Sequence, residues 1–362
     1  MNVTLTMELP GNDSYNVSTN GFDCDRQPIP YTGWERTLIV VIATFLCLIT
    51  AIANLICMIA IRIDKKLQKF SNYFVFSLAI ADFAVGLISM PVFTLYKVLG
   101  YWPLGPRVCD TWLSTDYVLS NASVLHILII SMDRYVSVTR PLAYRANKTK
   151  KKAAIMIGSA WGISLLLWPP WIYAWPYIEG TRIVPNNACY IQFIETNHYI
   201  TFGTAIAAFY IPVAIMSYLN FRIWRETEKH KKTQLNLQEG TPAASKRINS
   251  SDEGLELEES RRQRSESSGR PDTKTVKILT AIVGAFVLTW TPYNVLVLVK
   301  SISACSFQIP QKLWDFSYYF CYINSTVNPA LYGLCNTDFR KTYVRILKCK
   351  WHSIRNRGTA IE

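Results

Sequence analysis

The chain has 362 residues, half of them apolar and only 17% charged, yet its net charge is +13. Soluble domains carry about a quarter charged residues, so this composition argues against a soluble enzyme. The 11 Trp, 20 Tyr and 16 Phe, at a mean hydropathy of +0.13, point instead to a bilayer as solvent, with the charge crowded outside it.

In chain order, residues 1–36 hold no long apolar run. This predicts no cleavable signal peptide and a first span that serves as an uncleaved signal. Asn2, Asn12 and Asn16 stand in sequons, as suits a translocated, glycosylated tail. Runs of about 20 apolar residues, enough to cross a roughly 30 Å hydrocarbon core, follow at 37–61, 73–96, 111–132, 153–178, 199–221, 278–299 and 313–335. They predict an all-α membrane protein, a seven-transmembrane helix bundle. Asp82, Asp116 and Asp315 are the only acidic residues in these runs, which contain no Lys or Arg.

Of the 38 Lys and Arg, 31 lie in 62–72, 133–152, 222–277 and 336–362, and 7 in the alternating segments. Cytoplasmic loops retain positive charge, so the N-terminus is predicted extracellular and the C-terminus cytoplasmic. Basic residues spread over several short loops, rather than gathered on one soluble domain, also argue against nucleic acid as a partner. The segment 226–273 is too polar in its middle to fold alone and is predicted to be a flexible third inner loop. No internal repeat or inverted half is visible, which argues against a transporter. The last span has no Lys for a retinal Schiff base, and no clustered His or Cys ligand set or Gly-rich phosphate loop is present.

Of nine cysteines, Cys24, Cys109, Cys189 and Cys305 fall on the oxidising side, where pairing occurs. Cys349 lies in a basic amphipathic stretch, 339–354, beyond the last span and is predicted to carry palmitate, tying that stretch to membrane lipid.

Ionisable groups inside a membrane are costly and face a cavity or a partner. Asp82 and Asp116 have no basic residue in any span, so each is either protonated and hydrogen-bonded or a site for a cation from outside the chain. On a helix Cys109, Leu113, Asp116, Ser120 and Ser123 follow steps of three and four and share one face. About 27 Å further along that helix, at 1.5 Å per residue, comes Asp133-Arg134-Tyr135. Aromatics recur at the depth of Asp116: Tyr117, Trp168, Trp290, Tyr293, Tyr318 and Tyr322. A quaternary ammonium, which cannot donate hydrogen bonds, needs such faces around a carboxylate. Spacing alone leaves the cage and an ordinary packing stripe evenly matched.

The set Asn54, Asp82, Asp133-Arg134-Tyr135, Trp161, Pro212, Trp290-Thr291-Pro292-Tyr293 and Asn328-Pro329-Ala330-Leu331-Tyr332, in order over seven spans, resembles the signature of the rhodopsin-like G protein-coupled receptors. Runs 116–123, 189–193, 201–210 and 289–294 narrow the resemblance to the muscarinic acetylcholine receptors. It implies that Asp116 is the counter-ion of a choline ammonium under a lid of Tyr117, Tyr293 and Tyr318, with Trp168, Trp290 and Tyr322 as walls. Ser120, Asn121 and Cys321 join the pocket, Asn294 meets the ester end beside Thr201, Thr204 and Ala208, and Ile194 caps it.

The resemblance further implies a Cys109–Cys189 disulfide and a sodium pocket of Asp82, Ser123, Asn324, Ser325 and Asn328, with no other cofactor. Activation is implied to run through Pro292, Pro329, Tyr210, Tyr332 and Arg134 to a heterotrimeric G protein, without catalysis. Residues 137–146 and 225–228 look like the subtypes that act through Gq and phospholipase C, with Gi/o as the alternative. Ser265, Ser267 and Ser268 are candidate sites for receptor kinases, and arrestin is an implied partner at the plasma membrane or synapse. Gln308 stands where the family has a second cysteine of the third outer loop, which leaves Cys305 to pair with Cys24. The alternative ligand is another biogenic amine such as histamine.

Overall fold

The computed structural model describes residues 31–239, 273–303 and 309–349. Seven long helices follow one another: α1 Gly33–Ile63, α2 Phe70–Leu99, α3 Gly105–Thr139, α4 Lys150–Ile178, α5 over 198–239, α6 Thr273–Ser303 and α7 Gln311–Cys335. A short helix, α8 Thr337–Leu347, closes the described chain. The described residues contain no strand, as backbone in a bilayer requires when the sheet is not closed.

The helices overrun the apolar runs, at both ends except in α4 and α7, which stop where their runs do. α5 continues to Glu239 and takes the start of the predicted flexible loop into helix, where Lys229–Glu226 and Lys231–Glu228 pairs at 3.5 and 2.5 Å support it. Six of the seven are long and apolar enough to cross a membrane by length and composition. The seventh, α7, has the length, but Asp315, Asn324 and Asn328 lower its hydropathy, and all three are buried inside the bundle.

The bundle is apolar outside as well as inside. Val41, Phe45, Leu166 and Leu288 are each more than 60% exposed, a surface that only lipid solvates. α3 is the most enclosed helix and α1 the most peripheral. At Gly86 a Cβ would stand 3.0 Å from the Ala51 backbone nitrogen and the Thr50 side chain, so only glycine lets α2 approach α1 this closely.

Helix breaks are satisfied locally. Pro329 has no N–H for the Ser325 carbonyl one turn back, and Asn54 Nδ2 of α1 donates to that carbonyl at 3.0 Å. π turns at Val85–Ser89 in α2 and Ile206–Tyr210 in α5 add a residue to each helix just before Pro91 and Pro212. Trp161 Nε1 donates to Ser77 Oγ at 3.0 Å, joining α4 to α2. α8 buries Phe339, Thr342 and Ile346, and Thr342 Oγ1 donates to Asp64 Oδ2 at 2.7 Å.

Candidate functional site

A cavity of about 740 Å³, counted with its open mouth, lies between α3, α5, α6 and α7 at the level of Asp116. α3 contributes Asp116, Tyr117, Ser120 and Asn121, and α4 contributes Trp168. Ile194 comes from the short helix Gln192–Thr196, and Thr201, Thr204 and Ala208 from α5. Trp290, Tyr293 and Asn294 line it from α6, and Tyr318, Cys321 and Tyr322 from α7. Thus every ligand-binding residue named from the sequence faces one space. Val124, Ala205, Phe209 and Val297 also line it and were not anticipated. Val124, Ala205 and Val297 lie three or four residues from a named residue of their own helix, so the helical period was the available signal; Phe209 lies five past Thr204, a spacing that only the π turn Ile206–Tyr210 brings to the same face.

Asp116 is 2% exposed and accepts hydrogen bonds from Tyr318 Oη at 2.6 Å and Tyr322 Oη at 3.0 Å. The Tyr117 and Tyr293 hydroxyls meet at 2.6 Å. The rings pack edge to face, Tyr293 to Tyr318 at 5.3 Å and Tyr318 to Tyr322 at 5.5 Å, while Tyr117 leans on Trp168 at 4.5 Å. No basic side chain pairs with Asp116 among the described residues, so its carboxylate is met by hydroxyl donors and no cation. The Thr201 and Thr204 hydroxyls each donate to backbone carbonyls, which leaves lone pairs and methyl groups for a ligand. Asn294 Nδ2 donates one hydrogen to Trp290 O at 2.9 Å and keeps a second.

Toward the other end of the bundle, Asp82 Oδ1 accepts from Ser123 at 3.0 Å and Ser325 at 2.9 Å, and Oδ2 accepts from Asn328 Nδ2 at 2.8 Å. Asn324 is buried without a bond to Asp82, and Asn324 Oδ1 and Asn328 Oδ1 are buried without a hydrogen-bond partner.

At that far end Asp133 Oδ2 accepts from Ser71 at 2.7 Å, and Oδ1 accepts from the Tyr144 hydroxyl at 2.9 Å. Arg134 Nε stands 3.9 Å from the same carboxylate, and Tyr135 is part-buried beside it. Burial, with the Asp133 charge behind it, pushes the Tyr144 phenol up to about 12, so it remains a donor at neutral pH. Tyr210 is half-buried, and Tyr332 is buried against Phe339 with its hydroxyl unpartnered. Pro292 and Pro329 lie inside α6 and α7.

Residues 53–332 match the family model of the 7 transmembrane receptor, rhodopsin family. Among curated relatives, muscarinic acetylcholine receptor DM1 of Drosophila melanogaster is 54% identical over 76% of this chain. Muscarinic acetylcholine receptor M2 of Gallus gallus is 34% identical, with 95% of this chain and 99% of that protein covered. Muscarinic acetylcholine receptor M1 of Mus musculus is 36% identical over 89% of this chain and 91% of its own. The chain belongs to the rhodopsin family of receptors, in its muscarinic branch. It spans 36% of the Drosophila relative's length and nearly all of the other two.

The receptor is therefore a multi-pass membrane protein and not an enzyme. Its Cys109–Cys189 disulfide joins α3 to the segment that carries Ile194. Cys349 is exposed just past α8, in a left-handed turn with φ 52°. Asn2, Asn12, Asn16, Cys24, Cys305, Ser265, Ser267 and Ser268 lie outside the described residues.

One sequence assignment is corrected. The apolar run 73–96 stops short of Lys97 and leaves it in the outer segment 97–110, but α2 extends to Leu99 and Lys97 is buried inside the bundle against Asp315. Its four-carbon stem and the neighbouring carboxylate let it sit within the helix rather than beyond it.

Proposed function

We propose that the receptor binds acetylcholine in the cavity around Asp116 and activates a heterotrimeric G protein. The observation that carries this reading is a buried carboxylate with two phenol donors and no basic partner, walled by Tyr117, Trp168, Trp290 and Tyr293. A quaternary ammonium supplies the missing positive charge and gains from the ring faces without needing an acceptor. Asn294, with a free N–H, suits the ester carbonyl. A primary amine such as histamine could donate to Asp116 and to phenol lone pairs, but it does not need a wall of ring faces; that is the second reading.

The end bearing the disulfide and the start of α1 faces outward, with glycans on the sequons Asn2, Asn12 and Asn16 of the preceding sequence, and the end bearing Arg134 faces the cytoplasm at the plasma membrane, including synapses. There Asp133, itself oriented by Ser71 and Tyr144, holds Arg134 until α6 moves about Pro292 and Tyr210 and Tyr332 rearrange. The transducer is Gq, from the resemblance of 137–146 and 225–228 to Gq-coupled subtypes, with Gi/o as the alternative. Receptor kinases acting on Ser265, Ser267 and Ser268, arrestin, palmitate on Cys349 and a Cys24–Cys305 bridge complete the reading.

The test is acetylcholine displacement of a radiolabelled muscarinic antagonist from membranes, followed by nucleotide exchange on purified Gq and Gi. Exchange on Gi alone would overturn the Gq assignment, and absence of displaceable binding would overturn the ligand. Tyr144→Phe removes one charge-assisted bond from Asp133, worth about 1.4 kcal/mol or tenfold. Basal exchange without agonist should rise by up to that factor, and an unchanged basal rate would show that Tyr144 does not restrain Arg134.

Asp82 with Ser123, Asn324, Ser325 and Asn328 would hold a hydrated Na+, because the two unpartnered amide oxygens and one carboxylate form an oxygen donor set suited to a hard cation. The ion would neutralise Asp82 and favour the inactive packing. Replacing an organic cation by Na+ at fixed ionic strength should lower acetylcholine affinity about fivefold. Asp82→Asn should abolish that dependence while antagonist binding persists.

A further inference from the structure

Three acidic residues lie in the spans, and they are not alike. Asp82 and Asp116 face hydroxyl and amide donors, whereas Asp315 meets Lys97 Nζ of α2 at 2.7 Å. Lys97 is 7% exposed and Asp315 2%. Asp315 also accepts from Gln311 Nε2 at 2.7 Å and from the Tyr31 hydroxyl at 3.0 Å. The Lys97 ammonium lies 5.3 Å from the Phe93 ring and 5.0 Å from the Tyr96 ring.

A buried ion pair is weak evidence for stability, because a well-packed apolar pair of similar volume serves as well or better. What the pair does fix is the register of α2 against α7. The π turn at Val85–Ser89 advances the rest of α2 by about 100° relative to an unbroken helix, and Phe93, Thr94 and Lys97 then all meet α7. Phe93 stacks on Tyr318 with ring centres 4.4 Å apart and stands edge-on to Tyr319 and Tyr322 at 5.0 and 6.0 Å. Thr94 Oγ1 accepts from the Tyr319 hydroxyl at 2.9 Å. Tyr318 and Tyr322, one and two turns along α7 from Asp315, carry the two hydroxyls bound to Asp116.

We propose that Lys97 and Asp315 are positioning residues for ammonium recognition, locking α2 to α7 so that Phe93 backs Tyr318 and both tyrosine hydroxyls stay on Asp116. The proposal rests on the ammonium site described above. Holding the cage in its bound form before a ligand arrives lowers the ordering cost of binding. The benefit goes to a cationic head, because the tyrosines aim the carboxylate.

The test compares acetylcholine with 3,3-dimethylbutyl acetate, in which carbon replaces the ammonium nitrogen, in full-length receptor at the cell surface. The ratio of their affinities measures recognition of charge, a readout that loss of folded protein does not move. In the double variant K97M/D315N both charges leave together, so neither is stranded, and the ratio should fall about tenfold. K97R, which keeps the pair, should retain it. An unchanged ratio in K97M/D315N overturns the proposal, as does failure of that variant alone to reach the surface, which would assign the pair to folding. Absence of discrimination in the unmodified receptor would instead refute the ammonium site, and the proposal with it.

Discussion

Asp116→Asn should raise the dissociation constant for acetylcholine about a thousandfold, the consequence of losing about 4 kcal/mol when one member of a buried ion pair becomes neutral. The substitution preserves shape. Tyr318 and Tyr322, now 2.6 and 3.0 Å from the carboxylate oxygens, can still donate to the amide oxygen or turn to accept from the amide nitrogen. The aromatic walls are untouched, so what remains is cation-π attraction of about 1–2 kcal/mol per well-placed ring. Saturation binding of a quaternary antagonist, with surface expression measured by an N-terminal epitope, separates this from misfolding. Binding within tenfold of the unmodified receptor, at equal expression, would mean that the ammonium does not sit on Asp116.

Asp116 was legible because its helix carries the face Cys109, Leu113, Asp116, Ser120, Ser123 at steps of three and four, and the structure keeps α3 as one unbroken helix. Spacing put an aromatic set at the same depth, but only family resemblance turned that stripe into a cage. The same resemblance named the Cys109–Cys189 pair, which composition could only assign to an oxidising compartment. Lys97 was illegible for a physical reason: hydropathy ends a span at the first Lys, while a π turn upstream and a carboxylate on α7 keep this one inside. Tyr144 was missed as a partner of Asp133 because the contact spans a bend between α3 and the short helix Pro141–Ala146. Val124 and Val297 were missed because polar and aromatic residues drew the search, whereas small apolar side chains shape the space between them.

The second large effect is expected from Cys109→Ala with Cys189→Ala, which removes the disulfide without leaving a lone thiol. The bond closes a stretch with a sequence separation of 80, and cross-links of that span stabilise by about 2–4 kcal/mol in practice. Other contacts hold part of the connecting segment: Arg182 pairs with Asp110 at 2.7 Å, and Gln192 Nε2 donates to Glu179 at 2.6 Å and to the Thr181 carbonyl at 2.9 Å. None of these residues lines the cavity, whereas Ile194, five residues past Cys189, does. Cys109 stands two turns, about 10.5 Å along α3, from Asp116, so the bond fixes the segment over the carboxylate. Its removal should speed antagonist dissociation about tenfold or more and lower the temperature at which solubilised receptor loses binding. The two readouts separate the roles. A lower inactivation temperature with an unchanged dissociation rate would assign the disulfide to stability alone, and the cap over Asp116 would then be held by Arg182 and Gln192.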